Sequence, residues 1–379
     1  MDSRSTLEST SGGVWTERLT LVRLIAIKVS MLQKDESRQL DERPQEILRL
    51  IVRSYITNGE PVGSRTLSKI IDSRLSPATI RNIMADLEEM GLLAQPHTSA
   101  GRIPSEKGYR YYVDTLGDSK LSKSDERYIS RMLSETDTVE EIMSRASFVL
   151  SMITNNVGIV IAPPMAQTLL KHIEFVTLTE GKILVIFVSN SGLVQRKLIR
   201  VNDQYTQEEL DRAGRYLVEK FAGRNLTQIR SELLRMMQEE RNLYDRMLTL
   251  LRAWRDSIDG ESEPEAIYVE GTANILNKPE FADVERMRTL FKMFEEKSRL
   301  VKILNECIGS QATEGVNISI GSELGVPAMR DFTLITTSYA SNDHNLGFLG
   351  IIGPTRMEYE RGISIVTYLG RVMGEMINA

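Results

Sequence analysis

The sequence predicts a multidomain α+β fold, and three observations support this prediction. First, the chain has 379 residues, and domains of about 100–200 residues are usual, so two to three domains are expected. Second, three apolar stripes at helical spacing follow one another between Asp41 and Gly91,. Third, β-rich runs begin at Gly158 and are interrupted by long, charged helical patterns. We therefore predict a helical N-terminal module and an α+β domain whose sheet is split by a largely helical insertion.

The composition indicates a folded protein without a disulfide or metal framework. Hydrophobic residues make up 41% of the chain and charged residues 26%, which is near the average for globular proteins. A net charge of -5 argues against a protein that coats phosphate along its whole surface, so any nucleic-acid binding must be local. Cys307 is the single cysteine, which fits a reducing cytoplasm,. His97, His172 and His344 are far apart in sequence, and we predict neither a metal nor a cofactor,.

Residues 1–38 are predicted to be an extension outside the folded domains. The stretch Val14–Gln33 is apolar enough to suggest a targeting segment, but three cations interrupt it, namely Arg18, Arg23 and Lys28. It therefore matches neither a secretory signal nor a membrane-spanning helix. Two interpretations remain: an amphipathic or disordered extension, and an upstream stretch read from an early start codon, with Met31 as the true initiator.

The first two predicted helices follow Asp41. Helix one has Asp41 as its cap and Pro44 in its first turn, and Asn58-Gly59 ends it,. Its apolar stripe consists of Ile47, Leu48, Ile51, Val52, Tyr55 and Ile56. A short second helix starts at Ser64, and we expect Leu67, Ile70 and Ile71 to point inward.

The third predicted helix has the clearest limits, because Ser76 is a favoured N-cap, Pro77 a favoured first residue, and Gly91 a favoured terminator,. Two short strands follow, on either side of the polar segment 97–101,. Ser105 caps a closing helix that we expect to complete the module. Three helices, a hairpin and a closing helix make a winged helix-turn-helix, which we assign to residues 39–117 as a DNA-binding domain.

The outer face of helix three carries the predicted base-reading residues. Since Ile80, Ile83, Met84 and Leu87 must face the other two helices, Ala78, Asn82 and Ala85 lie on the opposite side,. Arg81 and Thr79 lie on its two shoulders. Arginine pairs with guanine and asparagine with adenine in the major groove, and no acid occurs from residue 75 through residue 85. The alternative is an ordinary solvated helix face.

Further predicted DNA contacts lie outside helix three. Arg65 and Thr66 are expected to contact phosphate, and Arg102, beside Gly101, is expected to reach a minor groove or flanking phosphates,. The complete predicted set is Arg65, Thr66, Ser76, Ala78, Thr79, Arg81, Asn82, Thr98, Ser99 and Arg102. Residues 41–116 contain ten basic and ten acidic side chains, so their placement, and not the net charge, supports DNA binding.

The rest of the chain is predicted to contain connecting helices, a sheet domain in two parts, and an insertion. The connecting helices span 118–157, the two parts of the sheet domain 158–205 and 309–379, and the insertion 206–308. Signature loops of nucleotide-binding proteins and motifs of zinc proteases and serine hydrolases are missing from the sequence, so we predict no enzyme,. The amphipathic helix that carries Leu233, Met236 and Met237 is more typical of a subunit interface than of a cofactor site.

Several stretches of this chain resemble the heat-inducible transcription repressor HrcA family. They are Leu40–Arg43, Gly59–Arg65, Ser76–Glu88, Thr98–Pro104, Gly108–Asp114, Glu270–Leu276 and Gly353–Tyr359. The resemblance extends from about Leu40 to the C-terminus. It implies a winged helix, a GAF-like domain, and an inserted dimerisation domain.

The resemblance also implies a function. A cytoplasmic homodimer of this family would bind an inverted-repeat operator in double-stranded DNA upstream of chaperone operons and repress the heat-shock response, while the chaperonin GroEL maintains the active fold. No membrane partner is expected. An alternative from a different class remains open, in which a small-molecule effector binds the GAF-like domain and the winged helix responds.

Overall fold

A computed structural model describes most of the chain after residue 39, and the predicted extension lies outside the described residues. The described residues are 40–71, 75–97, 100–117, 120–134, 136, 138–162, 168–178, 181–201, 204–236, 249–251, 253, 267–276, 278–281, 294, 300, 304, 315–341 and 344–378. They form two compact units. Of these residues, unit 1 comprises those within 40–54 and 60–104, and unit 2 comprises those within 55–59 and 105–378.

Unit 1 contains three helices followed by a two-stranded antiparallel hairpin, in the order that the sequence predicted. The elements are α1 (Glu42–Asn58, whose last residues belong to unit 2), α2 (Ser64–Ile70), α3 (Pro77–Glu89), β1 (Leu93–Ala94) and β2 (Ile103–Pro104). In the hairpin Leu93 pairs with Pro104 and Ala94 with Ile103. Most members of the apolar stripes predicted for α1 and α3 are buried in the core: Ile47, Leu48, Ile51, Val52, Ile80, Met84 and Leu87. Tyr55, Ile56 and Ile83 are only partly buried.

One predicted core residue of α2 is wrong, because Ile70 is 49% exposed. The buried side of α2 is instead formed by Ser64, Leu67, Ser68 and Ile71, which follow the i, i+3, i+4, i+7 spacing of one helix face,. At 100° per residue, Ile70 lies roughly a third of a turn from the middle of that face. The prediction therefore counted Ile70 as buried because it is adjacent to Ile71 in the sequence, although the two residues lie on different parts of the helix surface.

The limits of α3 follow from its terminal residues. The Ser76 hydroxyl accepts a hydrogen bond from the Thr79 amide at 3.1 Å, and Pro77 occupies the first turn. After the helix, Gly91 adopts a φ of 73°, a left-handed conformation that side chains with a Cβ disfavour,. The Leu92 amide then donates to the Leu87 carbonyl at 2.9 Å, which turns the chain into β1.

Unit 2 is built on a five-stranded antiparallel sheet in the order β7-β3-β10-β9-β8. Its strands are β3 (Val157–Ile161), β7 (Ile267–Glu270), β8 (Val316–Ile320), β9 (Phe332–Ser341) and β10 (His344–Pro354). Helices α4 (Glu106–Asp114), α5 (Lys123–Leu133) and α6 (Val139–Thr154) precede β3, and α10 (Tyr359–Asn378) closes the chain. The short helix α9 (Ala273–Leu276) follows strand β7 in the chain. Helices α6 and α10 pack against the sheet and against each other.

Helix α4, the predicted closing helix of the DNA-binding module, belongs to unit 2. Tyr109 and Tyr112 lie against Tyr359, with ring centroids 5.8 and 6.4 Å apart. The Arg110 guanidinium forms an ion pair with Glu323. Unit 1 therefore ends at Pro104, before the predicted domain boundary at residue 117, because the aromatic face of α4 packs on the sheet domain.

A second, three-stranded sheet has the order β4-β5-β6 and contributes no strand to the first. Its strands are β4 (Leu170–Thr177), β5 (Lys182–Ser189) and β6 (Val194–Arg200), and helices α7 (Gln207–Phe221) and α8 (Leu226–Met236) follow. One face of this sheet shares a core with both helices, including Phe175, Val185, Leu217 and Leu233.

This second sheet corrects the predicted organisation, in which all β-rich runs of 158–205 belonged to one split sheet. Successive strands joined by short turns pair with one another, so β4, β5 and β6 form their own sheet and only β3 joins the larger one,. Strand β7 then returns to pair with β3. Phe294, Leu300 and Leu304, which the prediction assigned to the insertion, pack in the core of the larger sheet. The sheet is interrupted as expected, but the interruption runs from about β4 to just before β7.

Candidate DNA-binding surface

Helix α3 presents the side chains that the sequence analysis selected as base-reading residues. Ala78, Thr79, Arg81, Asn82 and Ala85 are all exposed. The side chains of Arg81 and Asn82 make no ion pair and no hydrogen bond with another residue of the described chain. The donor groups that major-groove recognition requires are thus available on a face where the neighbouring alanines leave room for close approach.

The N-terminal turn of α3 is held by its own hydroxyl groups. Besides accepting from the Thr79 amide, the Ser76 hydroxyl lies 2.9 Å from the Thr79 hydroxyl. Both side chains are exposed. Ser76 and Thr79, predicted as DNA contacts, therefore also have a structural role, because their hydroxyls satisfy one amide of the first turn and each other.

The predicted phosphate contacts Arg65 and Thr66 lie on α2. Both side chains are exposed, and α2 packs directly against α3. The N-cap residue Gly63 offers no side-chain cap, and its carbonyl accepts from the amides of Thr66 and Leu67, both at 3.1 Å. The backbone of this turn is therefore satisfied internally, which leaves the two side chains for contacts outside the unit.

The hairpin is attached to the helices at Arg102. Its amide donates to the Val62 carbonyl and its carbonyl accepts from the Val62 amide, each at 2.9 Å. Its guanidinium holds Glu88 Oε2 through Nε and Nη2, both at 2.8 Å. The Arg102 side chain is 20% exposed, so it lies against the C-terminal part of α3 and does not extend from the hairpin.

This attachment depends on Gly101. A Cβ on Gly101 would lie 2.4 Å from the Val62 carbonyl oxygen, far inside van der Waals contact. The other predicted wing residues, Thr98 and Ser99, lie outside the described residues. Arg102 was expected to reach a minor groove or flanking phosphates, and its pairing with Glu88 was not predicted, because the two residues are 14 positions apart and no helical or strand spacing relates them.

The charges of this surface are divided between its two ends. Arg65, Lys69 and Arg81 are exposed cations near the start of α3 and on α2, whereas the exposed acids Asp86 and Glu89 lie in the last turns of α3. This distribution gives the N-terminal half of α3 the polarity that favours phosphate, as the sequence predicted.

Three tyrosines of unit 2 are strongly perturbed by burial, and the hydroxyls of two of them, Tyr339 and Tyr359, have hydrogen-bond partners; within the described residues the buried Tyr109 hydroxyl has none. Burial raises the pKa of Tyr109, Tyr339 and Tyr359 far above the usual tyrosine range. The Tyr339 hydroxyl donates to the Ile161 carbonyl at 2.9 Å, and the Tyr359 hydroxyl donates to the Thr355 carbonyl at 2.6 Å. Across the described chain, no three His, Cys, Asp or Glu side chains are grouped so as to hold a metal ion.

The two distant stretches that resemble the family lie in unit 2 and have structural contacts. In the first, Asn274 Nδ2 donates to the Ser151 hydroxyl and to the Asn156 carbonyl, both at 3.1 Å. In the second, Arg356 forms an ion pair with Glu280, and its Nη1 donates to the Ile56 carbonyl at 3.0 Å. Both stretches therefore connect segments of unit 2 that are far apart in sequence.

Helices that cross a membrane are not found, since no helix within the described ranges is both long and apolar enough to do so.

Comparison with known proteins identifies the family. A family model for the HrcA protein C-terminal domain matches residues 140–363. The chain is 42% identical to a protein named heat-inducible transcription repressor HrcA from Geobacter sulfurreducens, over 89% of this chain and 98% of that protein. It is 40% identical to the protein of the same name from Syntrophobacter fumaroxidans, over 89% and 97% of the two chains.

The fold is also found in a solved structure. A crystal structure of a hypothetical protein superposes with a TM-score of 0.56 at 21% identity, and the match covers 89% of this chain and 99% of that one. At this identity the similarity concerns the fold alone. The sequence matches are much stronger, and they show that the chain belongs to the heat-inducible transcription repressor HrcA family.

Proposed function

We propose that this protein is a transcription repressor that binds double-stranded DNA through an N-terminal winged helix formed by α1 to α3 and the β1–β2 hairpin. The observation that carries the proposal is the exposure of Arg81 and Asn82 on the outer face of α3, where neither side chain has a partner among the residues that the structure describes. The name of the relatives supports the repressor function.

In the proposed complex, α3 enters the major groove with its N-terminal end foremost. Arg81 pairs with guanine O6 and N7, and Asn82 pairs with adenine N6 and N7, while Ala78 and Ala85 permit close approach. Arg65, Thr66, Ser76 and Thr79, together with Thr98 and Ser99 of the wing, contact the backbone. Arg102 has a different task, since it holds the hairpin to α3 through Glu88, and it reaches DNA only if that pair opens.

A homodimer would place two copies of α3 on the half-sites of an inverted repeat, about 34 Å apart or a multiple of that distance.

The outer face of the three-stranded sheet is suited to pair two copies. Leu198 and Val194 of β6 are 48% and 40% exposed on that face, beside Leu184 and Val188 of β5. This apolar surface belongs to the interrupting segment, which fits the dimerisation role proposed for the insertion.

The charges on the same face support a two-fold arrangement. Ile186 of β5 pairs with Glu174 of β4 on one side and with Arg196 of β6 on the other. In a two-fold interface, Glu174 of one copy can therefore lie opposite Arg196 of the second copy.

The remaining parts of the proposal rest on the family. We propose a cytoplasmic repressor of chaperone operons, in which the five-stranded sheet and its helices form a GAF-like domain. The chaperonin GroEL would maintain the folded repressor, so that heat, which occupies the chaperonin, would empty the operator.

The DNA-binding proposal is tested by a gel-shift titration of the full chain with a palindromic operator and with a scrambled duplex. We expect Arg81→Ala and Asn82→Ala each to lower the preference for the operator by about 1–3 kcal/mol, since each removes one bidentate base contact. Arg230→Ala is the matched control, because Arg230 is an exposed cation on α8 in unit 2. An unchanged operator preference in both α3 variants would show that the recognition face is wrong.

A further inference from the structure

A cleft of about 610 Å³ opens in unit 2 between the end of α4, the start of α5, strand β8 and helix α10. Sites for small molecules usually have volumes of about 300–1,000 Å³. Strand β8 is the last strand in the order of the larger sheet, so the cleft lies along an edge that no further described strand covers. None of the residues proposed to contact DNA lines this cleft.

The floor of the cleft is apolar. It is formed by Val113, Leu116, Val316, Ile318 and Ile363. Val113 is buried, while the other four side chains remain partly exposed to the cleft and to solvent. A ligand with an apolar part would remove this surface from water, which is favourable in proportion to the area covered.

The rim of the cleft is cationic. Lys120, Lys123 and Arg371 line it together with a single acid, Glu126. The two lysines are exposed and form no ion pair with any residue that the structure describes. Arg371 pairs with Glu375 at 2.8 Å, but both side chains are more than half exposed, and such surface pairs are weak. A positive rim on a chain of net charge -5 selects an anionic ligand group.

Three residues of α10 with hydroxyl groups line the cleft, namely Ser364, Thr367 and Tyr368, and two of the hydroxyls donate within the helix. The Thr367 hydroxyl donates to the Ile363 carbonyl, and the Ser364 hydroxyl donates to the Glu360 carbonyl, both at 2.8 Å. Because both protons are used within the helix, the wall offers these oxygens only as acceptors. The Tyr368 hydroxyl can donate to a neutral or to an anionic ligand, whereas the attraction of the lysines is gained only by an anionic group such as a carboxylate,.

We propose that this cleft binds an amphipathic carboxylate, a ligand in which one carboxylate is attached to an alkyl chain. The carboxylate would pair with Lys120 and Lys123, and the alkyl chain would cover the floor at Ile318 and Ile363. This proposal does not depend on DNA binding, because the experiment that tests it measures the affinity of the chain for the carboxylate in the absence of DNA.

The test is isothermal titration of the full chain with octanoate, octan-1-ol and acetate. Octan-1-ol has the same alkyl chain without the charge, and acetate has the charge without the chain. We expect octanoate to bind at least about fivefold more tightly than octan-1-ol, and acetate to give no measurable binding, since the charge contact and the apolar contact each contribute. Equal affinities for octanoate and octan-1-ol would overturn the proposal.

Three variants locate the binding site. Lys120→Gln combined with Lys123→Gln should weaken octanoate binding by about 5–25-fold and leave octan-1-ol unchanged, because only the ion pairs are lost. Thr367→Trp, at an exposed position of the cleft wall, should weaken both ligands by filling the cleft. Lys220→Gln is the control, since Lys220 is an exposed lysine on α7. Octanoate binding that survives Thr367→Trp, or that falls equally in the control, would refute the site, and circular dichroism of each variant verifies that it is folded.

Discussion

Replacing Glu88 with alanine removes the carboxylate that holds the Arg102 guanidinium against α3. Two donors of Arg102 lie 2.8 Å from the same oxygen, and the two side chains are 20% and 34% exposed. Fully exposed pairs contribute about 0–1 kcal/mol, and breaking a buried pair costs about 3–5 kcal/mol. For this partly exposed pair we expect a coupling of about 1–2 kcal/mol between Glu88 and Arg102.

The assay follows the hairpin itself, through hydrogen exchange of the Arg102 amide, which donates to the Val62 carbonyl. A loss of about 1–2 kcal/mol in local stability corresponds to exchange that is roughly 5–30 times faster. The double-mutant cycle of Glu88→Ala, Arg102→Ala and the double variant isolates the coupling.

A matched control is available one residue away. Glu89 is an exposed acid of the same helix end, and it has no partner among the described residues, so Glu89→Ala should leave the exchange rate of the hairpin unchanged. If Glu88→Ala exchanges no faster than Glu89→Ala, the ion pair does not hold the hairpin. If Glu88→Ala instead strengthens operator binding and Arg102→Ala weakens it, Arg102 contacts DNA directly, as the sequence analysis expected.

Two further predictions concern stability. Arg356→Ala should lower the free energy of unfolding in urea by about 2–4 kcal/mol, because it takes the arginine partner from the largely buried Glu280 carboxylate,. Arg371→Ala breaks the pair with Glu375, in which both side chains are more than half exposed, and should cost less than about 1 kcal/mol; equal losses would contradict the prediction. Ser76→Ala should lower the free energy of unfolding by about 0.5–2 kcal/mol, because it removes the cap of α3,, while Ser76→Thr should retain most of that stability. If Ser76→Ala left the free energy of unfolding unchanged, the cap would contribute nothing.

Features that depend on neighbours in the sequence were predicted well. The start of α3 at Pro77 and its end near Gly91 follow from the chemistry of single residues at its termini. The outward position of Arg81 and Asn82 follows from the helical period alone, because the buried stripe on α3 leaves only one other face,. The candidate base-reading surface was therefore accessible from the sequence.

Features that depend on distant contacts were not predicted. The strands of the two sheets have similar apolar patterns in the sequence. Such a pattern indicates that a segment is a strand, but it does not indicate which other strand pairs with it. Helix α4 carries an aromatic face that suits either unit, and Tyr359, far along the chain, decides that it packs in unit 2.

The sequence by itself determined the helices of unit 1, the Ser76 cap of α3, and the face of α3 that carries Arg81 and Asn82, because these depend on interactions within a few residues. Only the tertiary structure decided the strand order, the end of unit 1 at Pro104, and the pairing of Arg102 with Glu88. These contacts join residues that are far apart in the chain, and no helical or strand periodicity relates their positions. The packing of the whole unit brings them together.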